Sequence, residues 1–188
     1  MVSRLLLILC LAAGSLHAAE LEDVKLEDSV RVDGQEIQLN GIALRTRFAV
    51  FKVYVAGLYL PQKTSSGPAA VEARGAKRME LVMLRDVSSE QFIDSFDVAL
   101  RNNNSEAQLA EVNAHKEDLF ARIRAIGEAR KGTRILLDYL PSAGTLLTVG
   151  EVARGKPMPG EAFYRAILRS WVGENPAQED MKKALLGG

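Results

Sequence analysis

The sequence predicts an α+β fold, in which one large antiparallel β-sheet carries a layer of helices on one face (an open-faced β-sandwich). The first observation is a succession of segments rich in β-branched and aromatic residues, joined by short turns that are typical of antiparallel pairing. The second is the order of the elements: strands, two helices, strands, two helices. A chain of 188 residues is long enough for one domain with a substantial core.

The densest predicted strand runs over Phe51–Leu60. Because successive side chains of a strand point to opposite faces, both faces of this segment are mostly apolar. Such a strand is covered on both sides, or one of its faces lines an apolar cavity. Gly41–Arg47 is predicted as its hairpin neighbour, and this pairing would bring the guanidinium of Arg45 and the hydroxyl of Tyr54 to the same space.

The other predicted elements follow the same rules. Asp33-Gly34 lies between two short alternating runs and predicts a further hairpin. The helix that begins near residue 89 should bury a stripe containing Phe92, Phe96 and Ala99. The remaining strands are predicted over 78–84, 135–139 and 145–149 and from 152, and the remaining helices over 68–73, from 105, over 161–172 and over 178–186.

The first eighteen residues have the pattern of a secretory signal peptide. A single arginine precedes the apolar run Leu5–Ala13, and Ala18 and Ala19 offer a small-residue cleavage site. We expect cleavage after one of these two alanines, a domain over residues 19–188, and a periplasmic or secreted protein. A lipid anchor on Cys10 is the alternative, and the bulky leucine before that cysteine disfavours it.

Composition excludes several functional classes. Basic and acidic side chains both number 24, so the near-neutral chain gives no electrostatic case for nucleic acid or an anionic membrane surface. No second apolar run reaches the about 20 residues that span a bilayer, so no stable membrane insertion is expected. Without the signal peptide the chain has no cysteine and one histidine, His115. This excludes a zinc site built from several such ligands, and we expect no cofactor.

Three segments carry a resemblance to a known family: NGIALRTRF with FKVYVAGLYLP, LVMLRDVSSEQF, and ILRSWVGENP with KKALLG. They are similar to the bacterial branch of the chalcone isomerase-like superfamily, which also contains plant chalcone isomerases and plastid fatty-acid-binding proteins. The run KVYVAGLYL is the most specific part. The resemblance covers residues 26–186 and implies the fold predicted above.

The resemblance also implies roles for two residues of the predicted hairpin. Arg45 matches an arginine that holds a fatty-acid carboxylate in the binding proteins and stabilises developing charge in the isomerases. Tyr54 falls where the fatty-acid binders carry a tyrosine and the isomerases a threonine. From the residues alone, a solvated strand arginine and an ordinary strand aromatic remain the alternatives.

Four further positions belong to the implied cleft. Phe92 and Ala99 fall where the isomerases carry a tyrosine and an asparagine, and neither side chain can polarise a carbonyl or order a water molecule. Ser170 matches a serine or threonine of the isomerases' C-terminal helix, and Trp171 lies beside it. The resemblance therefore implies a ligand cleft that lacks some isomerase groups, and the interpretation leans against an enzyme.

The sequence thus predicts an exported, non-catalytic protein that binds a fatty acid or another amphipathic small-molecule anion. The tail would occupy a cleft between sheet and helices, and Arg45 and Tyr54 would hold the head group. One alternative is an isomerase-type enzyme for a phenolic or enone substrate, with Arg45 providing electrostatic stabilisation. A second alternative is an envelope interaction protein without a small ligand. The natural ligand, protein partners and oligomeric state are not indicated.

Overall fold

The computed structural model describes residues 18–48 and 50–188. Most of the predicted signal peptide, residues 1–17, lies outside the described residues. Within the described ranges, no helix is long and apolar enough to cross a membrane.

The described residues form a central antiparallel sheet and two short ribbons. The strands are β1 Ala18–Leu21, β2 Val24–Glu27, β3 Ser29–Val32, β4 Gln35–Arg47, β5 Phe51–Leu60, β6 Lys77–Met83, β7 Val87–Ser88, β8 Glu128–Ala129, β9 Arg134–Leu140, β10 Gly144–Val149 and β11 Val152–Ala153. Seven strands form the sheet, in the order β11-β10-β9-β6-β5-β4-β3, and each neighbouring pair is antiparallel. The ribbons are β1-β2 and β7-β8.

The helices lie close to their predicted positions, and serine side chains cap the starts of three of them. They are α1 Gly67–Glu72, α2 Ser89–Asn103, α3 Glu106–Arg124, α4 Ala162–Val172 and α5 Glu179–Leu185. The Ser88 side chain accepts from the backbone N–H of Gln91 at the start of α2. Ser105 and Gln108 form a reciprocal capping box at the start of α3. The strand–helix order that the sequence predicts is therefore present.

Strand β5 is covered on both faces, as its apolar pattern predicts. Tyr54, Ala56 and Leu58 belong to the larger core, which the helices complete. Val55 and Tyr59 belong to a second core on the opposite face. All five residues are buried.

The cover of the second face is the part that the sequence prediction missed. The β1-β2 hairpin packs there, with Val24 and Leu26 in the second core, whereas the sequence suggested only a mixed, charged segment. Gly57 leaves room for this contact, because a Cβ at this position would lie 2.5 Å from Cδ1 of Leu26 and the leucine side chain would have to shift. The sheet is therefore enclosed by helices on one face and by a β-hairpin on the other.

The predicted strand 41–47 is the second half of one longer strand, β4, which has register irregularities near Gly41 and after Arg45. A Cβ on Gly41 would lie 2.1 Å from the carbonyl oxygen of Ala184 at the end of α5. Helix α5 can therefore dock directly on the backbone of β4 only because this residue is glycine. This docking places the loop before α5 beside Arg45.

Candidate ligand-binding site

A cavity of about 130 Å³ lies between the sheet and helices α2 and α4. Its walls come from the paired ends of β4 and β5, the segment that follows β6, and the two helices. The six residues that the sequence prediction singled out all line it: Arg45, Tyr54, Phe92, Ala99, Ser170 and Trp171. The structure thus brings together residues up to 126 positions apart (Arg45 to Trp171, 171 − 45), while their role in binding stays a prediction.

Arg45 and Tyr54 are direct cross-strand partners in the β4-β5 pairing, as the predicted hairpin requires. The Tyr54 hydroxyl oxygen accepts a hydrogen bond from the indole N–H of Trp171 at 3.1 Å. Burial raises the pKa of Tyr54, and the Trp171 hydrogen bond and the charge of Arg45 offset only part of this rise. The hydroxyl therefore stays protonated at neutral pH and can donate to an acceptor in the cavity.

The guanidinium of Arg45 is fixed by the loop between α4 and α5. Its Nη1 donates to the carbonyl oxygen of Ala177 at 3.0 Å and to Oε1 of Gln178 at 3.2 Å. The same Gln178 oxygen accepts from the backbone N–H of Thr46 at 3.0 Å. Within the described ranges no carboxylate forms an ion pair with Arg45. A held guanidinium with further N–H groups and no counterion is suited to an anionic ligand.

Helix α2 supplies the apolar wall. Phe92, Phe96 and Ala99 are spaced by four and three residues, so they share one face of the helix, and all three line the cavity. The ring centroids of Phe96 and Trp171 are 5.3 Å apart, and those of Phe92 and Phe96 are 5.9 Å apart. This wall can hold a hydrocarbon or an aromatic ring but carries no acid or base.

Ser170 adds an unsatisfied polar group to the wall formed by α4. The residue is 1% exposed, and its Oγ has no hydrogen-bond partner among the described residues. Buried hydroxyls are nearly always paired with protein, water or a ligand. A hydroxyl on the cavity wall without a protein partner among the described residues therefore marks a position where a bound polar atom would gain a partner.

A second, narrower cavity of about 20 Å³ adjoins the first. The two share Val87, Phe92 and Phe96 as lining residues, so they adjoin at these side chains. Except for Ser89, the rest of its lining is apolar: Leu119, Ile123, Ile126, Ala129, Ile135, Leu137, Leu147 and Val149. The pair of cavities is therefore polar at the Arg45 end and apolar behind the two phenylalanines.

Sequence reasoning missed several residues of the site. Arg47 and Arg85 line the cavity as exposed side chains, and the sequence prediction assigned neither of them to the site. Ala177 and Gln178 hold Arg45 in place, and no local pattern marks them. His115 does not line the cavity. Its ring packs against that of Phe163, with the two ring centroids 5.7 Å apart. No group of metal-ligating side chains is found in the described part of the chain.

Comparisons with known proteins place these features in context. A family model described as chalcone isomerase-like matches residues 18–187. The structure is similar to that of a fatty-acid binding protein from Arabidopsis thaliana, with a TM-score of 0.70, 13% sequence identity, and coverage of 90% of this chain and 96% of that chain. At this identity the likeness shows the fold alone. No curated protein sequence matches the chain.

Proposed function

The chain belongs to the chalcone isomerase-like family, and from this premise we propose that it binds a fatty acid or a similar amphipathic anion. Family and α+β fold are both as the sequence predicted. The carrying observation is an apolar cavity with Arg45, Tyr54 and Ser170 on its wall. The Arabidopsis protein of the same fold is described as fatty-acid binding, which supports this ligand class.

The three polar groups suit a carboxylate head. Arginine offers a planar fork of donors that matches the two oxygens of a carboxylate. The Tyr54 hydroxyl oxygen accepts a hydrogen bond from Trp171, and its O–H group can still donate a hydrogen bond to a ligand oxygen. The unpaired Ser170 hydroxyl can make a further hydrogen bond, so a bound head group would satisfy donors that are otherwise unused.

The apolar wall suits a hydrocarbon tail. Phe92, Phe96 and Ala99 line the first cavity, and the two phenylalanines also line the smaller apolar cavity. A long tail would enter that second cavity once the phenylalanine side chains change rotamer. Transfer of each methylene from water to such a site is favourable by roughly 0.8 kcal/mol.

The same wall argues against the isomerase alternative. Phe92 and Ala99 stand in the cavity where hydrogen-bonding side chains would be required to activate a substrate carbonyl or water. General acid–base groups contribute about 10²–10⁴-fold each to catalysis. We therefore expect no saturable cyclisation of a chalcone, and clear saturation kinetics with such a substrate would favour the enzyme over the binding protein.

The decisive experiment is calorimetric titration of palmitate into the wild type and Arg45→Ala. Loss of one partner of a partly buried charge pair costs about 2–5 kcal/mol, which corresponds to roughly 30-fold to several-thousand-fold weaker binding. Arg45→Lys should restore only part of the affinity because an ammonium lacks the planar fork. Arg31→Ala is the matched control, since Arg31 is an exposed strand arginine on β3.

Tyr54→Phe provides a second test in the same titration. It removes a hydrogen bond to a charged head group, which contributes about 1.5–3 kcal/mol, and should weaken binding less than Arg45→Ala. Circular dichroism checks that each variant is folded. Equal palmitate affinities of wild type and Arg45→Ala would refute the head-group assignment, and no binding by the wild type would favour the interaction-protein alternative.

We further propose that the protein is exported, on the basis of the N-terminal sequence pattern. N-terminal sequencing of the protein from the periplasmic fraction should give a chain beginning at Ala19 or Glu20. A chain that keeps Met1, or a lipid-modified Cys10, would contradict this expectation.

A further inference from the structure

The tip of the β4-β5 hairpin exposes large apolar side chains to solvent. Phe48 is 75% exposed, Val50 71% and Phe51 51%. Among the described residues, only Val98 and Val152 are comparable, and each is isolated along the chain. Three such side chains within four positions are an unusual concentration for a protein surface, and exposed apolar patches of this kind mark interaction sites.

Two arginines flank these side chains. The guanidinium carbon of Arg47 lies 5.1 Å from the ring centroid of Phe48, and that of Arg85 lies 5.7 Å from the ring centroid of Phe51. Both arginines are exposed and form no ion pair within the described ranges. We call Arg47, Phe48, Val50, Phe51 and Arg85 together the hairpin tip.

Two acidic groups near the hairpin tip have partners in the structure. Glu22 pairs with Lys52 at 2.5 Å, so this lysine and this glutamate cancel. Asp86, beside Arg85, accepts from the backbone N–H of Lys131 at 2.7 Å. Asp86 keeps its negative charge in this hydrogen bond, but Arg47 and Arg85 together outweigh it. The net charge of these groups is therefore positive, although the whole chain is near neutral.

We propose that the hairpin tip docks the protein on an anionic lipid surface. Phe48, Val50 and Phe51 would enter the interfacial region of the bilayer, and Arg47 and Arg85 would contact lipid phosphates. Apolar side chains beside basic ones are the combination that binds peripheral proteins to anionic membranes. A partner of this chemistry fits both components of the patch, whereas a purely apolar partner would leave the arginines without counterions.

The position of the hairpin tip connects docking with the cavity. Arg47 and Arg85 line the cavity as well as the hairpin tip, so a docked bilayer would meet the cavity mouth. An amphipathic ligand could then pass between the bilayer and the cavity without crossing water. This consequence rests on the proposed function, whereas docking itself does not depend on ligand binding.

The test is co-sedimentation of the purified chain with vesicles of phosphatidylcholine alone or of phosphatidylcholine and phosphatidylglycerol in equal parts. Wild type should partition into the anionic vesicles, and added salt should weaken this binding. The double variant Phe48→Ser/Phe51→Ser should bind about 10- to 100-fold more weakly, as expected from the burial energy of aromatic side chains.

A second double variant, Arg47→Gln/Arg85→Gln, removes the charge but keeps the apolar residues. It should bind anionic vesicles roughly 25-fold more weakly, about fivefold for each arginine, and should depend less on salt. Val152→Ser, at the exposed β11 turn, and Arg31→Gln, on β3, are the matched controls and should bind like wild type. All variants carry the same N-terminal segment, so any membrane affinity of that segment is common to them.

Equal partitioning of wild type and Phe48→Ser/Phe51→Ser would overturn the proposal, as would equal binding of wild type to both vesicle types. Failure of wild type to sediment with either vesicle would also overturn it and would favour a protein partner for the hairpin tip. Palmitate titration of the same preparations measures ligand binding separately, so that a failure of vesicle docking can be distinguished from a failure of the proposed ligand-binding function. Phe48 and Phe51 do not line the cavity, so normal palmitate binding by Phe48→Ser/Phe51→Ser together with loss of vesicle binding would support docking as a distinct property.

Discussion

Tyr54 and Tyr59 belong to one strand, are both buried, and point to opposite faces of the sheet. The Tyr54 hydroxyl accepts a hydrogen bond from Trp171, and Tyr54 lines the same cavity as Arg45. The Tyr59 hydroxyl has no hydrogen-bond partner in the described part of the chain and lies in the core beneath the β1-β2 hairpin. Burial raises the pKa of both tyrosines, so a perturbed pKa alone does not distinguish a site from a core.

The charged groups of the two faces show the difference that matters. On the second face, Arg78 forms a bidentate pair with Asp138, at 2.6 and 2.7 Å, and Glu80 is paired with Arg134. On the first face, Lys77 is likewise paired with Glu161 at 2.8 Å, but neither residue lines the cavity. Arg45, which does line it, donates hydrogen bonds to a carbonyl and an amide oxygen and forms no ion pair within the described ranges. Charges that are paired with each other beneath a hairpin have little capacity left for a ligand, whereas an arginine without a counterion on the wall of a cavity indicates a binding site.

Arg78→Ala should give the largest difference in unfolding free energy between a substitution on the second face and one on the first. This change leaves the Asp138 carboxylate, whose side chain is 8% exposed, without its partner, and removal of one member of a buried pair costs about 3 kcal/mol of unfolding free energy. Palmitate affinity of the folded variant should match wild type. Arg45→Ala should instead weaken palmitate binding and leave the unfolding free energy nearly unchanged. Urea denaturation and calorimetry measure both quantities, and a stable Arg78→Ala variant with weakened palmitate binding would contradict the assignment of faces.

The first face was largely predictable because its signals are local. Alternation along 51–60 fixes which side chains share a face with Tyr54, and hairpin pairing then brings Arg45 opposite it. Helical spacing places Phe92 and Ala99 on the same side of α2. The contacts of Arg45 with Ala177 and Gln178 were not predictable, since they join residues more than 130 positions apart through the docking of α5.

The cover of the second face was missed for a different physical reason. The β1-β2 turn has Glu22 and Asp23 at positive φ, 52° and 61°, where tight hairpin turns favour glycine or asparagine. Asp33 and Gly34, in the next turn, have φ of 49° and 75° and were recognised because the pair carries the usual residues. A hairpin whose turn lacks glycine therefore left no turn signal in the sequence.

Leucine substitutions of two buried alanines, one on each face of the sheet, should have effects of intermediate size on stability or ligand binding. Ala76 is fully buried in the second core, so Ala76→Leu should overpack it and cost about 1–3 kcal/mol of unfolding free energy. Ala99 lines the cavity, so Ala99→Leu should fill empty space with little loss of stability and should weaken palmitate binding about tenfold or more. Thermal unfolding measures the stability of both variants, and titration measures their palmitate affinity. Equal destabilisation by both changes would show that the cavity has no room for a larger side chain at Ala99.

The smallest expected effect is that of Tyr59→Phe, and it separates the two tyrosines most directly. The Tyr59 hydroxyl is buried without a partner, so its removal sacrifices no hydrogen bond and relieves the desolvation of a polar group. Unfolding free energy should stay within about 1 kcal/mol of wild type or increase. Tyr54→Phe, by contrast, leaves the buried indole N–H of Trp171 unpaired and should destabilise the protein by about 1–3 kcal/mol. Urea denaturation of the two variants decides the matter, and a larger loss of stability in Tyr59→Phe than in Tyr54→Phe would contradict it.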